Sequence, residues 1–243
     1  MKSVYLRKLF LTAVLSAPTC FLFVHLGGDN SFGSIVDAVY GGVFLQWNTN
    51  PVWALAFFWT PMVFAYMFSD FLRGELRERM PYVFCRTKER ISWFVKKTIV
   101  LAGCAAVFCA MQLLILTANC LMAQIPMEGM AVRHIPMLLL SSLHILGLAL
   151  SVSLLALKVD PAKGAVGLLS VHLSTGLAFL YGNLGKVAAL FPVCHSIYFW
   201  HDVPGAMRFV PGFSVESSIA VFCVLILGLQ AAGGAYVQKM DII

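Results

Sequence analysis

The sequence predicts an all-α integral membrane protein, a single domain over residues 1–243 with six transmembrane helices and both termini in the cytoplasm. Three observations carry that expectation. Of 243 residues, 60% are hydrophobic and 12% charged, with a mean hydropathy of +0.86; a soluble domain uses about 25% charged residues to cover its surface. Six apolar runs, at about 9–26, 52–68, 98–124, 135–157, 165–191 and 215–237, approach or exceed the roughly 20 residues that cross hydrocarbon as a helix. Finally, most of the 17 Lys and Arg residues fall on one side of these runs, which the positive-inside rule makes cytoplasmic.

The elements follow in order. The first run comes after Lys2, Arg7 and Lys8. Pro18 and the lack of an A-x-A pattern suit signal cleavage poorly, so the run reads as a retained anchor, with Val4, Tyr5 and Leu6 along the inner interface. Residues 27–51 are Gly-rich, and the semi-apolar stretch 35–47 suits a short interfacial helix. The second run is the shortest. After it come Arg73, Arg77, Arg79, Arg86, Lys88, Arg90, Lys96 and Lys97 before the third run. Lys158 and Lys163 lie between the fourth and fifth runs, and Lys239 follows the sixth. Arg133, Lys186 and Arg208 fall on or near the other side. The outer segment 192–214 concentrates Tyr198, Phe199, Trp200, Phe209 and Phe213, which suits a membrane–water interface.

Several function classes are excluded or disfavoured. Six spans leave little chain for a soluble ATPase, kinase or nucleic-acid module, and the net charge of +6 lies at membrane boundaries. Seven cysteines show no CxxC or other metal spacing, so neither a disulfide framework nor a zinc site is expected. HExxH, paired glutamates and two membrane aspartates, which are signatures of intramembrane proteases, are missing, and the chain is not expected to be an enzyme. No run has an Asp, Glu, Lys or Arg near its centre, whereas a proton- or sodium-coupled transporter usually needs a buried carboxylate.

The loop 70–97 is the most informative segment. Leu72, Leu76 and Met80 recur every four residues and put one apolar stripe on a short helix. Glu75 and Arg79 form an i,i+4 pair, Pro81 ends that helix, and a second helix starts near Thr87 and runs into the third span. Interleaved acids (Asp70, Glu75, Glu78, Glu89) and aromatics (Tyr82, Phe84, Trp93) fit a surface that docks on another protein better than one that meets lipid headgroups alone.

The stretch 82–97, with its aromatic residue, spaced Arg86 and Arg90, Trp93 and the Lys96-Lys97 pair, resembles the loop before span three of small bacterial ABC-2-type permeases. The six-span plan, cytoplasmic termini, basic first loop and longer segment between spans five and six are similar too. The resemblance covers the whole chain in topology and about 25 residues in pattern. It implies an ABC-2 (type V exporter-like) bundle in the inner or plasma membrane, a subunit that exports an amphipathic peptide, antibiotic or lipid, as in antimicrobial peptide export or immunity. Partners would be ATPase subunits and a second permease chain, with lipid around them. Arg77, Arg79, Arg86, Arg90 and Trp93 would couple the loop to the ATPase or order it, and the 158–163 turn would be a minor second contact. The outer segment 192–214 would dip back into the outer leaflet. No GxxxxGK[ST] motif occurs, so ATP and Mg would sit on the partner, with no cofactor here.

Polar residues within the runs have two readings. Gln112, Asn119, Ser142, His144, His172 and Thr175 are candidates for lining a substrate path, and the plainer role for them, and for Ser141, Ser151, Ser153 and Ser174, is interhelical hydrogen bonding. His144 and His172 also raise a haem- or quinone-binding electron-transfer subunit as an alternative, and a non-catalytic assembly partner is a further one. Cys194, His195, His201 and Asp202 are metal-ligand types, but no metal is expected.

Overall fold

The computed structural model describes residues 3–26, 31–41, 51–84, 90–129, 134–182, 187, 190–197, 201 and 214–240, with backbone alone for 78–84. Among these the helices are α1 (Ser3–Leu26), α2 (Phe32–Gly41), α3 (Pro51–Met67), α4 (Phe71–Phe84), α5 (Arg90–Met122), α6 (His134–Leu155), α7 (Pro161–Gly182), α8 (Pro192–His195) and α9 (Val215–Lys239). Six are long and apolar enough to cross a membrane: α1, α3 continuing into α4, α5, α6, α7 and α9. The chain therefore has the architecture of a multi-pass membrane protein. Its outward surface is apolar where lipid would lie, with Leu6, Phe10, Phe21, Leu114, Val171, Val224 and Leu227 exposed.

The helices start where local chemistry starts them. Asp160 accepts from the amides of Ala162 and Lys163 (3.1 and 3.2 Å) and Pro161 follows it, so α7 begins four residues before the apolar run. The Ser214 hydroxyl accepts from the Ser217 amide at 3.1 Å, and Glu216 complements the N-terminal dipole of α9. Between α3 and α4 the backbone turns at 68–70, and Ser153 donates to the Phe68 carbonyl at 2.9 Å. Near the prolines inside α1 and α3, Trp59 donates to the Leu15 carbonyl at 3.0 Å, one turn before Pro18, and Thr19 meets Thr60 at 3.2 Å beside Pro61.

α6 is the hub. It packs against α3, α5, α7 and α9, and α5 in turn packs against α1 and α9. One apolar core lies toward the end holding α4 and both termini, with Phe64 stacked on Phe68 at 4.5 Å and beside Phe108 at 5.1 Å. A second, around Ile35, Val36, Leu116, Met137 and Phe222, lies toward the opposite end. Tyr5 of α1, Arg90 of α5 and the carbonyl of Met240 meet groups of this first end, so both termini and the 70–97 segment share one face.

Several expectations are corrected. α5 is described from Arg90, eight residues before the apolar run, and α7 ends at Gly182; hydropathy marks the membrane-facing part of a helix, not its ends. Thr87 lies outside the described residues. Pro81 does not end α4, which runs on to Phe84; one missing amide removes one bond of the ladder, and the turns on either side keep theirs. In the first turn of α1, Val4 and Leu6 are exposed while Tyr5 is buried against Phe71 at 5.4 Å between ring centres.

The largest departure is α2. The sequence suggests an interfacial helix, but eight of its ten residues are buried. Its N-terminus hangs from the segment that follows α5, Phe32 and Gly33 donating to the carbonyls of Pro126 and Glu128 at 3.0 and 2.9 Å. Its far end reaches inward, where the Tyr40 hydroxyl donates to the Cys109 carbonyl at 3.3 Å. Cys109 stands 13 residues below the end of α5, about 20 Å at 1.5 Å per residue. α2 thus re-enters the bundle between α1, α5 and α6. Gly33 permits the docking, because a Cβ there would lie 2.3 Å from the Gly129 carbonyl oxygen. Backbone cannot yield as a side chain does, so Gly33→Ala should cost about 1–3 kcal/mol by overpacking. A thermal melt in detergent measures this, and an unchanged melting temperature would contradict the tight α2 contact.

Candidate functional site

Two regions bring predicted residues together. The first is the end of the bundle built by α4. Phe71, Leu72 and Leu76 anchor α4 in the core, which realises the apolar stripe. Glu75 turns inward and is 5% exposed; the side chain of Arg79, its expected i,i+4 partner, lies outside the described residues. Glu75 accepts from the Tyr5 hydroxyl and pairs with Lys97 at 2.6 Å. The reason is the helix's own geometry: residue 75 follows Leu72 by three positions and shares its buried face. Beside it, Asp70 pairs with Lys8. Three helices, α1, α4 and α5, are therefore tied by charge-assisted contacts at one level.

Arg90 and Trp93 are not surface residues. Arg90 is 7% exposed, and its Nη1 donates to the carbonyls of Gln238 and Met240, both at 3.0 Å. Those carbonyls lie at the C-terminal end of α9, where the helix has no amides left to satisfy them. Trp93 is buried in the same core. Both are buried in the described structure of this end. Arg77 is exposed on α4. The side chain of Arg79 and all of Arg86 lie outside the described residues. The 158–163 turn sits close by, with Arg73 donating to the Val159 carbonyl at 3.3 Å.

Removing the Glu75 carboxylate leaves Lys97, 11% exposed, without that partner. Glu75→Ala should therefore lose about 3 kcal/mol, and Tyr5→Phe, which removes one neutral donor, about 1 kcal/mol. Equal losses in unfolding measurements would contradict the central place of the carboxylate.

The second region is the middle of the bundle. His144 of α6 and His172 of α7 meet with their Nε2 atoms 3.2 Å apart. One ring must donate and the other accept, so their tautomers are complementary. The spacing is that of a hydrogen bond between the two rings. Phe58 meets His172 edge-on at 5.9 Å, and Phe222 lies 5.9 Å from His144. The pair forms the wall of a cavity of about 220 Å³ whose lining also includes Ser151, Thr175, Val193 and Leu225.

Of the six residues proposed to line a path, His144, His172 and Thr175 meet in this cavity. The others do not. Gln112 bridges α5 to α1, donating to Ser16 at 2.5 Å and accepting from the Cys20 thiol at 3.3 Å. Asn119 and Ser142 bond back to the carbonyls of Ile115 and Leu138, both at 2.8 Å, a local solution common for such residues in helices. Gln112 does border a second, narrow space with Tyr40, Thr60, Ser141 and His144.

Asp37 and His134 escaped sequence reading, and His195 and His201 have a partner in Ser218 that it did not name. Asp37 of α2 meets His134 at the start of α6 at 3.1 Å, both buried. The signal was present, a lone acid within an apolar stretch, but its partner is 97 residues away. At the same end, the Ser218 hydroxyl sits 2.7 Å from both His195 Nδ1 and His201 Nε2. Burial pushes the neighbouring Cys194 thiol up to about 12, so it stays protonated. Asp202 lies outside the described residues, and among those described no three His, Cys, Asp or Glu converge as metal ligands would.

No family model, no curated protein and no solved structure matches this chain.

For the histidine pair we expect a measurable coupling. A cycle of His144→Phe, His172→Phe and the double variant should give a coupling of about 0.6 kcal/mol, the average for bonds of this kind within membranes. Strict additivity in the unfolding free energies would show that the two rings do not interact.

Proposed function

We propose that the chain is the membrane subunit of an ATP-binding-cassette exporter, with its basic face in the cytoplasm of a plasma membrane and its energy supplied by a separate ATPase. The observation that carries this reading is the construction of the α4 end. A segment that only met headgroups would need neither buried charges nor ties to three helices. Here Glu75 links α4 to α1 and α5, and Arg90 links the start of α5 to the end of α9. Force applied to α4 thus has stiff contacts into three helices, and Arg77 is exposed on α4 to meet a partner.

The polar content of the interior supports the same reading. Among the described residues, the middle of the spans holds histidine, glutamine and hydroxyl groups with no carboxylate beside them. Asp37 lies with His134 at the outer start of α6. A cavity of this chemistry favours an amphipathic cargo with a small polar part, and His144, His172 and Thr175 would meet it. ATP binding would draw two ATPase subunits together, move α4, and shift the bundle between two states.

The test is isolation of the tagged chain from its native membranes, with ATP hydrolysis measured in the eluate. Arg77→Glu should lower the recovered ATPase about tenfold at unchanged thermal stability, as loss of one interface arginine does. Arg90→Glu should lower thermal stability as well. Recovery of no ATPase, or full recovery with Arg77→Glu, would overturn the reading.

A further inference from the structure

The cavity beside His144 does not end at Ser151. Ser151 and Leu168 also line a second space of about 400 Å³, which continues along α6 as far as Lys158. Together they make one groove with α6 as its floor and α7 and α9 as its walls. The lower wall of α9 carries Leu229 and Ala232. From His144 to Lys158 there are 14 residues of chain, about 21 Å at helical rise. That is the depth of one leaflet with its headgroups, since a bilayer is about 40–45 Å thick in all.

The mouth of the groove is cationic. Lys158 reaches across it to the face of Tyr236 on α9, 5.0 Å from the ring centre. Arg73 is held beside it by the Val159 carbonyl, and Lys163 is exposed on the first turn of α7. Asp160 is the acid of this turn, and its carboxylate is engaged in capping α7. The space is too small for a helix, because a cylinder 10 Å across and 21 Å long fills about 1,600 Å³. We propose that this groove binds one acyl chain of an anionic phospholipid from the leaflet on the basic side. The phosphate sits at Lys158 and Arg73, and the chain end reaches the level of His144. The inference rests on the membrane placement of the helices and not on transport.

The test is native mass spectrometry of the delipidated chain, titrated with phosphatidylglycerol and with phosphatidylcholine of the same acyl chains. One phosphatidylglycerol should be retained per chain, about fivefold more strongly than phosphatidylcholine, as one added lysine contact provides. Lys158→Glu should abolish that preference, whereas Lys239→Glu, at the exposed end of α9, should leave it. Ala232→Phe narrows the groove without touching the cations, and it should reduce retention of both lipids. Melting curves of each variant establish that it is folded. Equal retention of the two lipids, loss of preference with Lys239→Glu, or full retention with Ala232→Phe would each overturn the proposal. The assay contains no ATPase and no cargo, so its outcome is separate from that of the exporter reading.

Discussion

In hydrocarbon a polar group finds its partner within the protein or goes without, and the cost of going without is several kcal/mol. That constraint explains why so much of this bundle is arranged as it is. Ser16, Thr19, Thr117, Asn119, Ser151 and Thr175 each return a hydrogen bond to a carbonyl three or four residues back. Where one helix cannot supply the partner, a neighbour does. Gln112 joins α5 to α1, Trp59 joins α3 to α1, and Ser153 joins α6 to the end of α3. Each such bond also fixes an interhelical distance, so satisfying polarity and specifying the packing become the same act.

The same logic acts more strongly at the basic end. There the groups are charged, and burying them demands closer pairing than a hydroxyl needs. Glu75 is the centre of that arrangement, drawing in Tyr5 and Lys97. Arg90 performs the equivalent task for the last carbonyls of α9. This end is therefore assembled from directional contacts, whereas the outward surfaces of α7 and α9 stay largely apolar and exposed, with 33% and 22% of their spanning windows buried.

Much of the architecture was legible in the amino-acid sequence, because hydropathy over twenty residues reports a property that the membrane itself imposes. All six candidate spans fall where the apolar runs lie, and among the described residues Lys8, Arg73, Arg90, Lys97 and Lys158 gather at one end. The site was less legible. Arg90 and Trp93 sit in a charged loop and look exposed, but their burial depends on the end of α9, some 150 residues away. Glu75 offered a local partner at i+4 and has distant ones. α2 carried no length signal, since ten residues cannot span, and its burial follows from Gly33 meeting Gly129, a backbone contact that no residue pattern announces. Periodicity did place Leu72 and Leu76 correctly, because that stripe is local. His144 and His172 were recognisable as unusual, but their meeting required the crossing of α6 and α7.

The length of α5 has a mechanical consequence. Its 33 residues make a rod of about 50 Å, well beyond the roughly 30 Å of hydrocarbon. A stiff rod that pivots at mid-membrane behaves as a lever with two arms. A tilt of about 5° would displace each end by roughly 2 Å in opposite directions, given a half-length near 25 Å. One arm carries Arg90 and Lys97, and the chain beyond the other holds the N-terminus of α2 through Pro126 and Glu128. A small movement at one end of α5 would therefore displace α2 at the other.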